Sequence, residues 1–230
     1  MELKMTEKTT KLTNLHPDIL KFQNELRDKY VSENKTVKKG QILFVGSSLM
    51  EIFPIEKFQQ DEDLGLNKVI YNRGVRATTT ADLLAHMDTL IFDLEPSKIF
   101  INIGSNDIGF NVPKEEYLKN YSQILSLIQE KLPDTKVYLM AYYPINTSTN
   151  FGEEKHEHSA LYEHRSNALY AAASADVARL AREHEMNFIN VNSGLTDEGG
   201  NLKSDLTFDG AHMLPAGYKI VLQNMISYLK

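Results

Sequence analysis

The amino-acid sequence predicts an α/β protein with a parallel, doubly wound β-sheet. The first observation is a series of short runs that are apolar almost throughout and rich in β-branched or aromatic residues. This composition is typical of strands that are covered on both faces. The second observation is that segments with the spacing of amphipathic helices separate these runs. Strands that alternate with helices form right-handed βαβ units, and such units place their strands parallel in one sheet.

Five strand-like runs follow one another along the chain. The first, Ile42–Val45, is followed by Gly46, a residue suited to a tight turn into a helix. The others are Lys68–Tyr71, Lys98–Ile103, Lys136–Ala141 and Asn187–Val191. Ligands of such sheets bind in the crevice outside the carboxyl ends of the strands.

Helical patterns lie around and between these strands. His16-Pro17-Asp18 opens the first, which ends near Asn34. Further helices are predicted at Thr80–Phe92, at Lys114–Lys131, within His158–Glu185 and from Pro215 to Leu229. The long polar segment Tyr142–Tyr162 is predicted to be a lid or specificity loop, and residues 1–14 a flexible tail.

Composition and charge narrow the class of protein. The length of 230 residues suits one domain, and 42% hydrophobic with 24% charged residues is typical of a soluble globular chain. The net charge of −6 gives no electrostatic reason to expect a nucleic-acid partner. The N-terminus lacks the apolar core of a secretory signal, and no apolar run reaches the length of a membrane span. We therefore expect one domain over residues 1–230, a cytoplasmic location and no stable membrane insertion.

Cysteine is absent, which excludes disulfides, thiolate nucleophiles and cysteine metal sites. His156, His158 and His164 form a loose cluster, but their spacing matches no ligand pattern and the stretch is heavily charged. We expect these histidines to lie on a solvated surface, and we expect no bound metal.

Four short motifs carry the residues with catalytic chemistry. Three of them follow predicted strands and the fourth precedes the last helix, so all four should converge on one rim of the sheet. They are Gly46-Ser47-Ser48-Leu49, Asn72-Arg73-Gly74, Gly104-Ser105-Asn106-Asp107 and Asp209-Gly210-Ala211-His212.

The motifs supply the groups that acyl transfer through serine requires. Such a reaction needs a hydroxyl, a base, a carboxylate that orients the base, and donors aimed at the oxyanion. Ser48 offers the hydroxyl and, at a helix start, its own backbone N–H. His212 offers the base, and Asp209 stands three residues earlier, close enough to reach its Nδ1. Gly74, which has no Cβ, and the side chain of Asn106 are the further candidate oxyanion donors.

In their order and position, these motifs resemble the SGNH hydrolases, also called GDSL-type esterases and lipases and including platelet-activating-factor-acetylhydrolase-like enzymes. The resemblance spans residues 46–212 and implies a three-layer α/β/α fold with a flavodoxin-like, five-stranded sheet. It also implies hydrolysis of a small-molecule carboxylic ester without metal or organic cofactor. By this resemblance Ser48, Asp209 and His212 are the triad, and Ser48, Gly74 and Asn106 form the oxyanion hole.

The chain departs from the family at the nucleophile motif. The usual Gly-Asp-Ser is Gly46-Ser47-Ser48 here, so the acidic neighbour of the nucleophile is missing and Ser47 becomes a rival nucleophile. Alignment on Gly46 and the position at a helix start favour Ser48. Because Asp209 supplies a catalytic carboxylate, we expect the loss of the neighbouring acid to tune activity rather than abolish it.

Several further side chains have both a functional and a structural interpretation. Arg73 could bind a substrate carboxylate or phosphate, or form a structural ion pair. Tyr142 and Tyr143 could line a substrate pocket or pack in the core. Asp107 is expected to brace the turn that holds Asn106.

Two other functions stay open at this point. An acyltransferase would pass the acyl group to a sugar or alcohol, and the long loop at Tyr142–Tyr162 is its only support. A non-catalytic binding protein could share the same fold, since fold alone does not fix function. The acyl chain, the leaving alcohol and the oligomeric state, a homo-oligomer included, are not defined by the sequence.

Overall fold

The computed structural model describes residues 15–148 and 162–230. The strands in these ranges are β1 (Ile42–Gly46), β2 (Ile70–Asn72), β3 (Lys98–Asn102), β4 (Lys136–Met140) and β5 (Asn187–Ile189). They form one five-stranded sheet in the order β2-β1-β3-β4-β5, and every neighbouring pair is parallel. The order reverses between β1 and β3, which is the switch point of a doubly wound sheet. The predicted α/β class and flavodoxin-like strand order are therefore confirmed.

Nine α-helices accompany the sheet in the described part of the chain. They are α1 (Pro17–Asn34), α2 (Ser48–Glu51), α3 (Ile55–Asp61), α4 (Thr80–Ala85), α5 (Met87–Leu90), α6 (Ser105–Gly109), α7 (Lys114–Lys131), α8 (Asn167–Glu183) and α9 (Pro215–Leu229). Two 3-10 turns lie at Phe92–Leu94 and Ser204–Leu206. None of the helices in residues 15–148 and 162–230 is long and apolar enough to span a bilayer.

The sheet separates two hydrophobic cores because successive strand residues point to opposite faces. Leu43 and Val45 of β1 pack in one core, with residues of α1, α4, α5, α7 and α8. Ile42 and Phe44 pack in the other, with residues of α2, α3 and α9. Helices thus cover both faces, which confirms the three-layer α/β/α arrangement and holds the carboxyl ends of the strands at one rim.

Most predicted elements match, and the differences have local causes. The helices predicted at Lys114–Lys131 and Pro215–Leu229 have the observed bounds. The helix predicted at Thr80–Phe92 is wrong, because it ends at Ala85 and a separate short helix follows. His86 has φ −120° and ψ 24°, which breaks the helical backbone although the apolar residues on either side enter the same core. The short helices α2, α3 and α6 have too few turns to show an amphipathic period.

Some expectations fall outside the described residues. These are the tail at residues 1–14, His156, His158, and the greater part of the loop Tyr142–Tyr162. The single domain over residues 1–230 stays a prediction.

Candidate active site

Ser48 lies at the rim of the sheet, where β1 turns into α2. Gly46 ends the strand with no room for a side chain, since a Cβ there would overlap the carbonyl of Asn102 on β3 and the side chain of Met50. The N–H of Ser47 donates to that same Asn102 carbonyl over 3.3 Å. Ser48 is then the first helical residue, and the first N–H groups of a helix have no intrahelical acceptor. The turn therefore presents the hydroxyl and the backbone N–H of Ser48 together.

Ser48, His212 and Asp209 form a continuous chain of hydrogen bonds. Ser48 Oγ lies 2.8 Å from His212 Nε2, and His212 Nδ1 lies 2.6 Å from Asp209 Oδ2. The other oxygen, Asp209 Oδ1, accepts the backbone N–H groups of Ala211 at 2.9 Å and of His212 at 2.7 Å. Phe208 stacks on the imidazole, with ring centroids 5.7 Å apart and planes at 9°. Both the carboxylate and the imidazole are thus held in one orientation toward Ser48.

The electrostatics of this turn favour an ionised Asp209. Partial burial opposes its charge, but the hydrogen bond and charge of His212 and the two backbone N–H groups outweigh burial and lower the pKa of Asp209. An ionised carboxylate can only accept a hydrogen bond, so His212 Nδ1 carries the proton and Nε2 directs its lone pair toward Ser48. This is the tautomer that a general base requires.

Ser47 has none of these partners. Its side chain is buried, and its Oγ makes no hydrogen bond among the described residues. It is the N-cap of α2, yet its hydroxyl makes no capping bond. The geometry therefore favours Ser48 over Ser47 as the hydroxyl available for chemistry.

The structure corrects the assignment of Gly74 as an oxyanion donor. The Gly74 N–H already donates to Asn72 Oδ1 at 2.9 Å. Gly74 does not line the cavity around Ser48 and instead packs against α2, where a Cβ would overlap the backbone of Met50 and Glu51. Its lack of a side chain serves this close packing rather than access for a substrate.

Ala77 is a candidate oxyanion donor that sequence reasoning missed. It lines the same cavity as Ser48, Asn106 and His212, and its φ of 57° lies in the left-handed region that alanine rarely adopts. No described residue accepts a hydrogen bond from its N–H. A single sequence gives no signal for this backbone, because alanine carries none of the turn preference of glycine or asparagine.

The loop that carries Ala77 is fixed on both sides. The carboxylate of Glu51 accepts the Arg76 N–H at 2.6 Å and also pairs with the Arg76 guanidinium. Gln23 donates to the Arg76 carbonyl at 2.8 Å, and Tyr30 donates to the Gly74 carbonyl at 2.9 Å. Helices α1 and α2 therefore hold the loop in place, and the unusual backbone of Ala77 is sustained by its surroundings.

Asn106 projects from the start of α6, after β3. Its Nδ2 donates to the Thr78 carbonyl at 2.9 Å, and its Oδ1 accepts from Arg165 Nη2 at 3.4 Å. A carboxamide has two N–H donors, so one remains after the bond to Thr78. Asn106 lines the cavity together with Ser48, so its second N–H is a candidate oxyanion donor.

Asp107 ties the Asn106 turn to a neighbouring helix and also accepts a hydrogen bond from its own backbone. It is fully buried, and its Oδ1 accepts the Thr80 hydroxyl at 2.6 Å while Oδ2 accepts the Thr80 N–H at 3.0 Å. Burial raises the pKa of Asp107 to about 7 against the opposing effect of these hydrogen bonds. Asp107 thus links α6 to α4 and fixes the turn that carries Asn106.

A cavity of about 500 Å³ opens in front of these groups. Its apolar walls come from Ile19, Ile52, Phe110 and Phe208. Arg76, Arg165 and Gly109 complete the lining beside Ser48, Ala77, Asn106, Asp209 and His212. Its size is typical of pockets that bind small molecules.

The three candidate substrate-binding residues lie elsewhere, which corrects that expectation. Arg73 is buried, pairs with Glu33 at 3.3 Å and stacks over Tyr30 at 4.6 Å from the ring centroid. Tyr142 is also buried and donates to the Ile103 carbonyl at 2.9 Å, and Tyr143 packs in the core beneath α9. None of the three lines the cavity around Ser48, and each has the structural role that the sequence left open as its alternative.

Substitutions at Gly74 and Ala77 should separate their roles. Gly74→Ala is expected to lower the free energy of unfolding by about 1–3 kcal/mol, because the new methyl group overlaps backbone that cannot move aside easily. Ala77→Gly keeps the N–H and relieves the left-handed backbone, so stability should change by less than about 1 kcal/mol. Urea unfolding, together with initial rates on p-nitrophenyl acetate, measures both effects.

We expect the Ala77→Gly variant to hydrolyse p-nitrophenyl acetate at nearly the wild-type rate. A Gly74→Ala variant with unchanged stability and a selectively lower rate would contradict the correction and return Gly74 to the oxyanion hole.

Comparisons with known proteins fit this geometry. The model of the GDSL-like lipase/acylhydrolase family matches residues 59–220, well over half of the chain. The matched range begins after Ser48 and includes Asn106, Asp209 and His212.

Individual relatives extend over most of the chain. An isoamyl acetate-hydrolyzing esterase of Saccharomyces cerevisiae is 26% identical over 83% of this chain and 86% of its own length. A solved structure from Streptococcus pneumoniae, described as a candidate platelet activating factor, has a TM-score of 0.80 and 33% identity, with coverage of 92% of this chain and 94% of that one. An acetylxylan esterase from Geobacillus stearothermophilus shares the fold with a TM-score of 0.60 at 19% identity, covering 84% of this chain and 96% of that one.

Proposed function

The chain belongs to the SGNH, or GDSL-like lipase/acylhydrolase, family and is an esterase, and on that basis we propose that it cleaves esters through an acyl-enzyme on Ser48. The observation that carries the proposal is the unbroken path of hydrogen bonds from Ser48 Oγ through His212 to Asp209. These groups come from residues 164 apart in sequence, yet they meet beside one small-molecule cavity.

The first half of the proposed reaction forms the acyl-enzyme. Ser48 Oγ attacks the ester carbonyl while its proton passes to His212 Nε2. Asp209 stabilises the imidazolium through Nδ1 and is not itself protonated. When the tetrahedral intermediate collapses, the bond to the alcohol breaks and His212 gives its proton to the departing oxygen.

The second half uses the same groups with water. His212 takes a proton from a water molecule, and the resulting hydroxide attacks the acyl carbon on Ser48. Collapse returns the proton to Ser48 Oγ and releases the carboxylic acid. No group other than substrate and water is consumed in this sequence.

Three N–H groups are proposed to stabilise the oxyanion in both halves. They are the backbone N–H of Ser48, the backbone N–H of Ala77 and the second amide N–H of Asn106. All three residues line the cavity, and two of the donors are backbone groups that need no reorganisation during the reaction. Ala77 replaces Gly74 in this assignment because the Gly74 N–H is already bonded to Asn72.

We further propose that the substrate is a small ester with a short acyl group. The support is the acetate ester in the name of the yeast relative, together with a cavity of about 500 Å³ with apolar walls. Rates on p-nitrophenyl esters from acetate to palmitate measure the preference, which should fall as the acyl chain lengthens. A preference for palmitate would contradict it.

Covalent labelling tests the proposed nucleophile directly. A fluorophosphonate should inactivate the enzyme with one adduct per chain, and peptide mass spectrometry should place that adduct on Ser48. The phosphonyl group mimics the tetrahedral intermediate, so it reacts with the activated hydroxyl rather than with the buried Ser47. Complete inactivation with the label on another residue would refute the assignment.

The alternative function is acyl transfer to a sugar or alcohol, and an analysis of the products tests it. Its support was the loop Tyr142–Tyr162, most of which lies outside the described residues. With p-nitrophenyl acetate and an added alcohol, hydrolysis predicts acetate as the main product, whereas an acyltransferase would yield mostly the new ester.

A further inference from the structure

We propose that Arg165 is a positioning residue that fixes the Asn106 carboxamide with an N–H directed into the oxyanion hole. This inference rests on the proposed role of Asn106 as an oxyanion donor. It assigns a function to a residue that none of the four motifs contains, in the turn that precedes α8.

The argument begins with the two ends of the Asn106 side chain. Its Nδ2 faces a carbonyl, that of Thr78, and its Oδ1 faces a guanidinium, that of Arg165. If the amide were reversed, its oxygen would face the carbonyl and its NH₂ group the guanidinium, and both contacts would be repulsive. The two partners together therefore select one orientation of the amide.

The Thr78 carbonyl alone would not fix the plane of the amide. The bond to Thr78 holds a single atom, Nδ2, and the terminal torsion of asparagine is broad, so the amide plane could still rotate about that anchor. The bond from Arg165 to Oδ1 supplies the second point that fixes the plane. Only then does the second N–H of Asn106 keep a constant direction toward the cavity.

The Arg165 guanidinium packs against the backbone of Gly109. A Cβ at Gly109 would overlap Cζ, Nη2 and Nε of Arg165, so the guanidinium lies directly against the glycine backbone at the end of α6. Phe110, the next residue, has its ring centroid 6.0 Å from Arg165 Cζ. Because Asn106 and Gly109 belong to the same short helix, this helix carries the Asn106 amide and also contacts the Arg165 guanidinium that orients it.

The turn around Arg165 also contacts the other half of the site. The Tyr162 hydroxyl donates to the Asp209 carbonyl at 2.9 Å, and the Arg165 N–H donates to the Tyr162 carbonyl at 3.1 Å. The same turn thus touches the segment of His212 and the side chain of Asn106. Arg165 is the member that reaches the oxyanion donor.

Gly109→Ala and Arg165→Gln provide complementary tests. Arg165→Gln removes the guanidinium, whereas Gly109→Ala leaves it in the chain and displaces only the flexible end of its side chain, so the fold should be retained. Each variant should lower kcat on p-nitrophenyl acetate by about 10- to 100-fold with little change in KM, because a misplaced catalytic group affects the transition state. Arg182→Gln, at an exposed position in the last turn of α8, is the control and should match wild type.

A double-mutant cycle decides whether Arg165 acts through Asn106. In an Asn106→Ala background, each substitution should lower kcat by less than about twofold, since the group that it positions is gone. An equal loss in both backgrounds, with unchanged melting temperatures, would overturn the proposal.

A substrate pair separates positioning from binding of an anion. Wild type and Arg165→Gln would be compared on neutral phenyl acetate and on anionic 4-acetoxybenzoate. Positioning predicts the same fold loss in kcat for both esters, and a rise in KM for the anionic ester alone would overturn it. If Ser48→Ala were fully active, the proposed function itself would fail, an outcome independent of the cycle.

Discussion

Ser48→Ala is expected to lower kcat/KM for p-nitrophenyl acetate by about four orders of magnitude or more. The variant keeps the backbone N–H and the cavity but removes the oxygen that lies 2.8 Å from His212 Nε2. Without that oxygen no acyl-enzyme can form, and the residual rate reflects water attack assisted by the oxyanion donors. Initial rates and a pre-steady-state burst of p-nitrophenol, present in wild type and absent in the variant, measure the effect.

Ser47→Ala is the matched control for this experiment. It removes a neighbouring hydroxyl that is buried and makes no hydrogen bond among the described residues. Deleting an unpaired polar group of this kind should change stability by no more than about 1 kcal/mol and leave catalysis close to wild type. A reversed result, with Ser47→Ala inactive and Ser48→Ala active, would transfer the nucleophile to Ser47.

The fold was predictable from local patterns because the strands are buried on both faces. Runs such as Ile42–Val45 and Lys98–Ile103 are apolar almost throughout, and their alternation with helices left few topologies open. The break at His86 could not be predicted, since the apolar residues on both sides enter one core and the backbone change leaves no trace in the spacing. Tertiary packing decided that point.

The site was predictable where chemistry depends on side-chain identity. Four short motifs in a fixed order, and the family resemblance that they carry, led to Ser48, His212 and Asp209, and the structure brings their side chains together. Where chemistry depends on the backbone, the sequence was misleading. Gly74 looked suitable because it has no Cβ, yet its N–H is bonded to Asn72. Ala77 instead lines the cavity, with a left-handed backbone that an alanine in the sequence does not predict.

The substrate-binding expectations failed for a related reason. Arg73 and the tyrosine pair follow strands that end at the active rim, but Arg73 pairs with Glu33 on α1, and the two tyrosines are buried in the hydrophobic cores. A residue's position after a strand predicts at which edge of the sheet it lies, but not the direction of its side chain. Arg165, in contrast, precedes α8 and lies in no motif, so only the folded chain shows its contact with Asn106.

Asp209→Asn is expected to lower kcat by about 10³- to 10⁴-fold while the chain remains folded. In the variant, the amide oxygen can still accept the backbone N–H groups of Ala211 and His212, as Asp209 Oδ1 does now. That orientation turns the new NH₂ group toward His212 Nδ1, in the place of the oxygen that accepts the hydrogen bond from Nδ1–H. The imidazole must then carry its proton on Nε2, and an Nε2–H cannot take the proton of Ser48.

Because the backbone contacts of residue 209 survive in the Asp209→Asn variant, a loss of activity would report the changed tautomer of His212. Asp205→Asn, an exposed aspartate four residues earlier, is the control and should leave kcat and the melting temperature unchanged. Asp209→Asn should melt close to wild type because its backbone contacts survive, and its loss should appear in kcat rather than in KM. A wild-type rate for Asp209→Asn would show that the carboxylate does not set the protonation of His212, and the proposed base would then have to work without an orienting acid.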